Sequence, residues 1–314
     1  MKMIFILHPL GALLLSPLLL GIVNRTKAFF AGRKGLPLLQ AYYDLARLFQ
    51  KSAVYSRTTS WVFRAGPMVG LAAAMTALLV LPIGGGAACL NFTGDLIFLI
   101  YLLGVMRFFT VVAALDTGSA FEGMGASREV QFSLLAEPAL LLSLLAMGEI
   151  GESAIDSGIP LPHLSLSGIY AGLSFSAWMH SGTVLLLAAS ALFIVLLTEN
   201  ARIPVDDPNT HLELTMIHEV MVLDHSGPDF AMILYSSAIK LWIFGALLAG
   251  ILVPVRSGDF LLDGAATLGG IFLLPIGIGV IESSMARLRL LRVPQLLSGA
   301  GVLAILAIVL VLKG

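Results

Sequence analysis

Two long stretches of this chain contain no charged side chain, and they constrain the fold more than any other feature of the sequence. Residues 65–94 and 264–281 contain no Asp, Glu, Lys or Arg. About 20 apolar residues are enough to cross a bilayer as a helix. Over the whole chain 12% of residues are charged, whereas a soluble domain has about 25%. The chain is therefore an integral membrane protein, which excludes a soluble enzyme, a disulfide scaffold and a disordered chain.

Hydropathy and helix-breaking residues predict an all-α, polytopic membrane protein with about eight transmembrane helices. The apolar runs are continuous and leucine-rich, whereas transmembrane strands alternate polar and apolar residues. No repeat or soluble second domain is visible, so we expect a single integral membrane domain over residues 1–314. The predicted spans are 4–23, 66–85, 95–114, 130–150, 173–198, 230–253, 260–281 and 294–312.

The segment 38–50 is the exception among the helical segments, because it is amphipathic. Leu38, Tyr42 and Phe49 fall on one face of a helix, and Asp44 falls on another. This pattern predicts a helix lying in the membrane interface. Its role is either that of a lipid-surface anchor or that of a wall of a functional site.

The positions of the basic residues predict the orientation of the chain. Thirteen of the 18 Lys and Arg residues lie on one side of the predicted membrane, three lie on the other, and two lie inside spans. Basic residues accumulate in cytoplasmic loops. We therefore expect both termini outside and the two long polar loops, 24–65 and 199–229, in the cytoplasm.

Several ionisable residues fall inside the predicted spans, where each costs at least about 2.5 kcal/mol. They are Arg107, Glu137, Glu149, Lys240 and Glu282. Glu137 could pair with Arg107 or with Lys240 across helices. Two interpretations are open: ion pairs that fix the helix register, or a proton relay.

Acidic residues also crowd the second long loop, which contains a single arginine, Arg202. The loop begins with ENARIPVDDP (199–208), whose two prolines break the helix as it leaves the membrane. Irregular backbone at this depth is tolerated where it lines a cavity. The loop is either a solvated face or an acidic funnel. Its acids are Glu199, Asp206, Asp207, Glu213, Glu219, Asp224 and Asp229.

The chain lacks the ligands of a redox centre. Cys89 is its only cysteine and cannot hold an iron–sulfur cluster or a zinc site. His211 and His218 lie seven residues apart without a metalloprotease-like motif. We expect no metal site and no cofactor in this chain, so any redox centre belongs to another chain.

Four motifs in order along the chain resemble the heel membrane subunit of the respiratory complex I family, the NADH-quinone oxidoreductases. That family has eight membrane helices and surrounds the entrance of a quinone chamber. The motifs are GRKGLPLLQAYYDLARLF (32–49), LDTGSAF with GASREVQFSLLAEP (115–121 and 125–138), ENARIPVDDP (199–208) and IESSMARLRL (281–290).

Finer features are most similar to the homologous subunit of membrane-bound, energy-converting [NiFe]-hydrogenases of the formate hydrogenlyase and hydrogenase-4 type. These features are GDLIFLIYLLGVMRFF (94–109), Lys240, the Arg128–Glu129 pair and MARLRL (285–290). One departure is the histidine-rich stretch 209–223, longer than the family's usual acidic link. It puts in doubt a one-to-one transfer of the loop's acids.

The resemblance implies a non-redox subunit, inactive alone, of a redox-driven ion-translocating complex in a bacterial or archaeal inner membrane. Its expected partners are hydrogenase-like iron–sulfur and large subunits, antiporter-like membrane subunits and the lipid bilayer, with no nucleic acid. Iron–sulfur clusters and a [NiFe] centre are expected in those partner subunits. The two cytoplasmic loops would dock the peripheral module and couple its electron transfer to proton or sodium movement.

The resemblance also implies roles for individual residues. The coupling funnel would be formed by Glu199, Arg202, Asp206, Asp207, Glu213, Glu219 and Asp224, with Arg202 as the counter-ion. The intramembrane relay would be formed by Arg107, Glu137, Lys240 and Glu282. Docking or site-stabilising residues would be Arg33, Gln40, Asp44, Arg128, Glu129, Arg287 and Arg289.

Three other functions remain as alternatives. A quinone-site subunit of a complex I-type oxidoreductase would share the same fold. A stand-alone secondary transporter requires two repeat-related halves, which the sequence does not show. A purely structural anchor has no use for intramembrane charges.

Overall fold

The structure is a computed structural model that describes residues 2–154, 164–206 and 216–313. These ranges form ten α-helices and contain no β-strand, and eight of the helices are long and apolar enough to cross a membrane. The predicted all-α, eight-span fold is thus confirmed. The helices are α1 (Lys2–Phe30), α2 (Gln40–Phe49), α3 (Trp61–Val80), α4 (Asp95–Asp116), α5 (Ala120–Ala154), α6 (Leu166–Gly172), α7 (Phe175–Glu199), α8 (Gly227–Leu252), α9 (Phe260–Ser284) and α10 (Val293–Val311).

The largest difference from the predicted spans concerns α5. This helix begins at Ala120, ten residues before the predicted start at 130. Its first turns contain Glu122 and Glu129, which lower the hydropathy of the segment. Both side chains are nevertheless buried in the fold, because neighbouring polar groups compensate them. Hydropathy alone therefore makes the helix too short.

Helix α8 lies at the centre of the bundle and contacts α1, α2, α3, α7 and α9. Trp242 and Phe244, in its middle, are completely buried. A helix that is apolar on all sides is enclosed by other helices. Around it, α3 packs along α4, and α10 packs against α5 and α7. A charged residue on α8 therefore lies inside the protein and needs a partner there.

The predicted interfacial helix is α2, which lies against α1 and α8. None of its residues is fully buried. The Tyr42 hydroxyl donates to the carbonyl of Leu14 in α1. The carbonyl oxygen of Leu38 occupies the space that a methyl group at Gly21 of α1 would need. A side-chain hydrogen bond and a close backbone approach therefore fasten α2 and the loop before it to the first span.

Candidate functional site

Arg107 on α4 contacts three carboxylates from two other helices. Its Nε lies 3.2 Å from Glu129 Oε1, and its two terminal nitrogens contact Glu137 and Glu199. Glu129 and Glu137 belong to α5, and Glu199 is the last residue of α7. The planar guanidinium has five donors in a fixed fork and can hold several carboxylates at once. Only 10% of the Arg107 side chain is exposed, so these contacts hold three helices together around one buried cation.

Lys240 of α8 extends this set of contacts. Its Nζ lies 3.4 Å from Glu199 Oε2, so Glu199 bridges Arg107 and Lys240. Of the two pairings considered for Glu137, the structure shows the one with Arg107. Lys240 contacts the end of α7 instead. The two intramembrane cations are thus joined through one carboxylate.

On the loop side, His218 connects Glu129 with Asp206. His218 Nε2 lies 3.1 Å from Glu129 Oε2, and its Nδ1 lies 3.9 Å from Asp206 Oδ2. Arg287, beyond the end of α9, places Nη2 2.9 Å from Asp206 Oδ1. All these residues form one continuous set of ion pairs, called the charge network below: Arg107, Glu129, Glu137, Glu199, Asp206, His218, Lys240 and Arg287.

The loop part of the charge network is electrostatically matched. Burial alone would lower the pKa of His218, but the carboxylates of Glu129 and Asp206 raise it to about 9. Burial alone would raise the pKa of Asp206, but hydrogen bonds and positive charge from His218 and Arg287 lower it. Asp206 also accepts the backbone N–H groups of Ile217 and His218, at 3.0 and 3.3 Å. Imidazolium and carboxylate are therefore both charged at neutral pH.

Glu282 belongs to a second set of contacts, called the Glu282 cluster below. Its carboxylate is fully buried and lies 2.7 Å from Lys27 Nζ and 3.5 Å from Arg202 Nη1. Arg202 was expected to be the counter-ion of the loop acids. In the structure its ion pair is with Glu282 instead. The cluster joins α1, α9 and the turn after α7. The ion pairs of Glu282 within the described ranges are thus separate from those of Arg107 and Glu137.

The other residues expected in the funnel differ in their surroundings. Asp206 is buried in the charge network. Asp224 is exposed, and its backbone N–H donates to Glu122 Oε1 at 3.2 Å. Glu219 is half-buried. Two further predicted funnel residues, Asp207 and Glu213, lie outside the described residues.

The residues expected to dock a partner or to stabilise the site fall into three groups. Arg33 and Arg289 are exposed. Gln40 donates to Asp44 at 2.9 Å within α2. The remaining three contact the loop or the charge network: Arg128 donates to the Met216 carbonyl at 2.7 Å, Arg287 contacts Asp206, and Glu129 contacts Arg107.

A profile of the family described as NADH dehydrogenase matches residues 1–313. The chain belongs to the NADH dehydrogenase subunit 1 family. It is 32% identical to formate hydrogenlyase subunit 4 of Escherichia coli over 93% of this chain and 94% of that relative. It is 29% identical to hydrogenase-4 component C of the same organism, over 90% and 86%. An NADH-quinone oxidoreductase subunit of a Polaromonas species is 26% identical over 69% and 61%.

The same fold occurs in a solved archaeal complex. A chain of the membrane-bound sulfane sulfur reductase, an archaeal respiratory membrane complex, superposes with a TM-score of 0.80. The match covers 98% of both chains at 21% identity. At this identity the likeness shows the fold alone, and the eight long apolar helices support a multi-pass membrane protein.

Sequence reasoning missed three charged or polar residues of this family member: His218, Lys27 and Glu122. Glu129 was identified only as a docking residue. A signal for Glu129 exists, because it lies eight residues, about two helical turns, before Glu137 on α5. His218 is 89 residues away from its partner Glu129 along the chain. No local pattern reports such a contact.

An apolar groove of 580 Å³ lies between α7, α8 and α9 and is lined by none of the charge-network residues. Its walls include Phe193, Leu248 and Leu273, which suit hydrocarbon and offer no charge.

Among the described residues, no three His, Cys, Asp or Glu side chains converge as metal ligands do. That the redox centres lie in partner subunits stays a prediction.

Proposed function

We propose that this chain is the membrane subunit of a multi-subunit, redox-driven, ion-translocating complex of the energy-converting hydrogenase type. It would dock a peripheral hydrogenase-like module on the loops 24–65 and 199–229. The chain would couple electron transfer in that module to the movement of protons or sodium ions. Iron–sulfur clusters and a [NiFe] centre would reside in the partner subunits, and antiporter-like subunits would carry the ions.

The observation that carries this proposal is the continuity of the charge network. It runs from Glu137, in the middle of α5, through Arg107 and Glu129 to Asp206 in the loop after α7. A structural ion pair needs two charges, whereas this network connects eight. Buried charges within spans are expensive and typically mark ion or proton pathways. A charge change at the loop therefore reaches a carboxylate inside the membrane through direct contacts.

The relatives support the hydrogenase branch over a quinone-site subunit. Identity and coverage are greater for formate hydrogenlyase subunit 4 and hydrogenase-4 component C than for the NADH-quinone oxidoreductase relative. We therefore assign the chain to the inner membrane, with both termini outside and the loop after α7 in the cytoplasm. This orientation follows from the distribution of basic residues.

Purification of the native complex tests this function. The chain, tagged at its C-terminus and extracted in mild detergent, should bring down iron–sulfur and nickel-containing subunits, measured by mass spectrometry and metal analysis. In proteoliposomes, redox turnover of that complex with a supplied electron donor and acceptor should build an ion gradient. Recovery of the chain without any redox subunit, or turnover without a gradient, would contradict the proposal.

Charge reversal at the exposed arginines tests the docking surface. Arg33→Glu with Arg289→Glu should reduce the recovery of the peripheral module, since both side chains are exposed on the predicted cytoplasmic side. Lys313→Glu is the matched control, because Lys313 is also exposed but lies at the opposite predicted side. Equal loss of the module with Lys313→Glu would show that these arginines have no specific role.

A further inference from the structure

We propose that His218 is a proton-exchanging positioning residue that links the cytoplasmic loop to the intramembrane part of the charge network. This inference rests on the proposed function and adds a residue that the sequence did not assign. His218 bridges two carboxylates from different elements, Glu129 of α5 and Asp206 of the turn after α7. Each carboxylate also contacts an arginine, Arg107 or Arg287. The imidazole is therefore within ion-pair distance of both halves of the network.

The charges of the network balance only when His218 is protonated. Its other members include four carboxylates and three permanently basic side chains, which leaves one uncompensated negative charge. An imidazolium supplies the missing positive charge and has an N–H for each carboxylate, whereas a neutral imidazole has a single N–H. Loss of the proton therefore weakens either the Glu129 contact or the Asp206 contact.

Histidine is suited to this exchange because an imidazolium gives up its proton more readily than the guanidinium of arginine or the ammonium of lysine. Release of the proton to water on the loop side, to which 22% of the His218 side chain is exposed, breaks the Nε2–H bond and leaves a neutral imidazole 3.1 Å from Glu129 Oε2. The water molecule takes the proton as hydronium, and Glu129 keeps its negative charge. Arg107 then balances Glu129 without the positive charge of the imidazolium. One proton moved at the loop side thus changes the electrostatic balance inside the membrane.

Every element that packs around His218 contributes charged groups to its surroundings. Arg128 of α5 donates to the carbonyl of Met216, two residues before His218, and thereby fixes this part of the loop. The raised pKa of His218, about 9, agrees with a net negative environment. The groups concerned are Glu122, Arg128 and Glu129 on α5, Asp206 after α7, Glu219 and Asp224 on the loop itself, Lys240 on α8, Arg287 after α9, and Arg107 behind Glu129.

The first measurement locates the titration of His218 without reference to ion transport. Diethyl pyrocarbonate acylates only neutral imidazole, and peptide mass spectrometry resolves the modified histidine in the purified native complex. The rate at which His218 is acylated, divided by the rate for free N-acetylhistidine in the same tube, should rise with pH and have its midpoint near pH 9. Glu129→Gln and Asp206→Asn should each shift the midpoint toward the ordinary value of 6.5. A midpoint that stays unchanged in both variants would show that His218 is not coupled to Glu129 and Asp206, and would overturn the proposal.

The second measurement separates proton exchange from ion pairing. His218→Arg keeps a cation between the two carboxylates but cannot release a proton, so assembly should be normal. The rate of ion uptake in proteoliposomes should fall on the order of 100-fold, the scale of the rate effect of a lost acid–base group. His218→Gln should also lose ion uptake, and it should lower the Tm of the complex as well because it removes the cation between Glu129 and Asp206. His225→Gln is the matched control, since His225 stacks on Phe63 and is not a member of the charge network.

The two measurements keep this inference distinct from the proposed function. Wild-type turnover without a gradient would refute the proposed function, while the acylation midpoint would still report whether His218 joins the two carboxylates. A wild-type gradient that His218→Arg leaves unchanged, with the same pH profile, would overturn the role of His218 and leave the proposed function standing.

Discussion

Replacement of Arg107 by glutamine removes the one cation that three carboxylates share. Glu129 and Glu199 are 7% and 6% exposed, so neither can turn to bulk water when the guanidinium is lost. Loss of one partner from a buried ion pair costs about 3–5 kcal/mol. His218 and Lys240 still contact these two carboxylates and offset part of the loss. We therefore expect a cost near the lower end, about 3 kcal/mol.

Replacement of Glu137 by glutamine is the matched perturbation on the same contact. Glu137 is 44% exposed, and Arg107 retains Glu129 and Glu199 when it is lost. Because no buried charge is left unpaired, we expect a cost of about 1 kcal/mol or less, the value of a pair that is not fully buried. Glu137→Gln should therefore assemble at nearly normal yield and lose ion transport. The structure separates the two variants by about 2 kcal/mol.

Thermal unfolding of the purified complex in detergent, followed by size-exclusion chromatography, measures the difference. For a chain of this length, about 3 kcal/mol corresponds to a Tm lower by about 6 °C, and about 1 kcal/mol to a Tm lower by about 2 °C. Arg107→Lys is an informative third variant, because a lysine ammonium keeps the charge but lacks the fork that spans three carboxylates. Equal Tm values for the Arg107→Gln and Glu137→Gln complexes would refute the reasoning.

Three further predictions concern topology, packing and pH. An impermeant maleimide added to intact cells should label the native Cys89, which is exposed on the predicted outer side. A cysteine at Ser56, with Cys89→Ser, should react only after the membrane is opened. Gly21→Ala should lower the Tm of the complex, because the added methyl meets a backbone carbonyl, whereas Gly11→Ala has open space and should not. In the folded protein the pKa of His218 is raised to about 9. The contribution of its charged form to stability is therefore complete below pH 6.5 and should disappear as the pH rises through 9. Measurements of the Tm of the complex across this pH range would show the loss.

The spans could be predicted from the sequence because membrane crossing depends on local composition. A window of about 20 apolar residues is sufficient evidence for a transmembrane helix, whatever the helix packs against. The same reasoning placed the start of α5 too late, because Glu122 and Glu129 look like loop residues by composition. Their burial depends on partners contributed by other helices and the loop after α7, which no local window contains.

Three intramembrane members of the charge network were predictable from the sequence, but their connections were not. Arg107, Glu137 and Lys240 stand out because charged residues inside spans are rare. Which carboxylate meets which base depends on the rotation of each helix and on where α7 ends. Glu199 contacts both intramembrane cations because α7 terminates at that residue, beside α4 and α8. A difference of one turn in α7 would move Glu199 by about 5 Å and break both pairs.

The turn after α7 is the element through which the two sets of ion pairs are connected. Arg202 contacts Glu282, and Asp206, four residues later, contacts Arg287. Both partners lie at the end of α9 or just beyond it, so the turn is clamped onto that helix at two points. Asp206 is also close to His218, which leads to Glu129 and the intramembrane cations. A displacement of this turn therefore alters the Glu282 cluster and the charge network together. The proposed peripheral module would need to move only this turn to change the ion pairs of both sets.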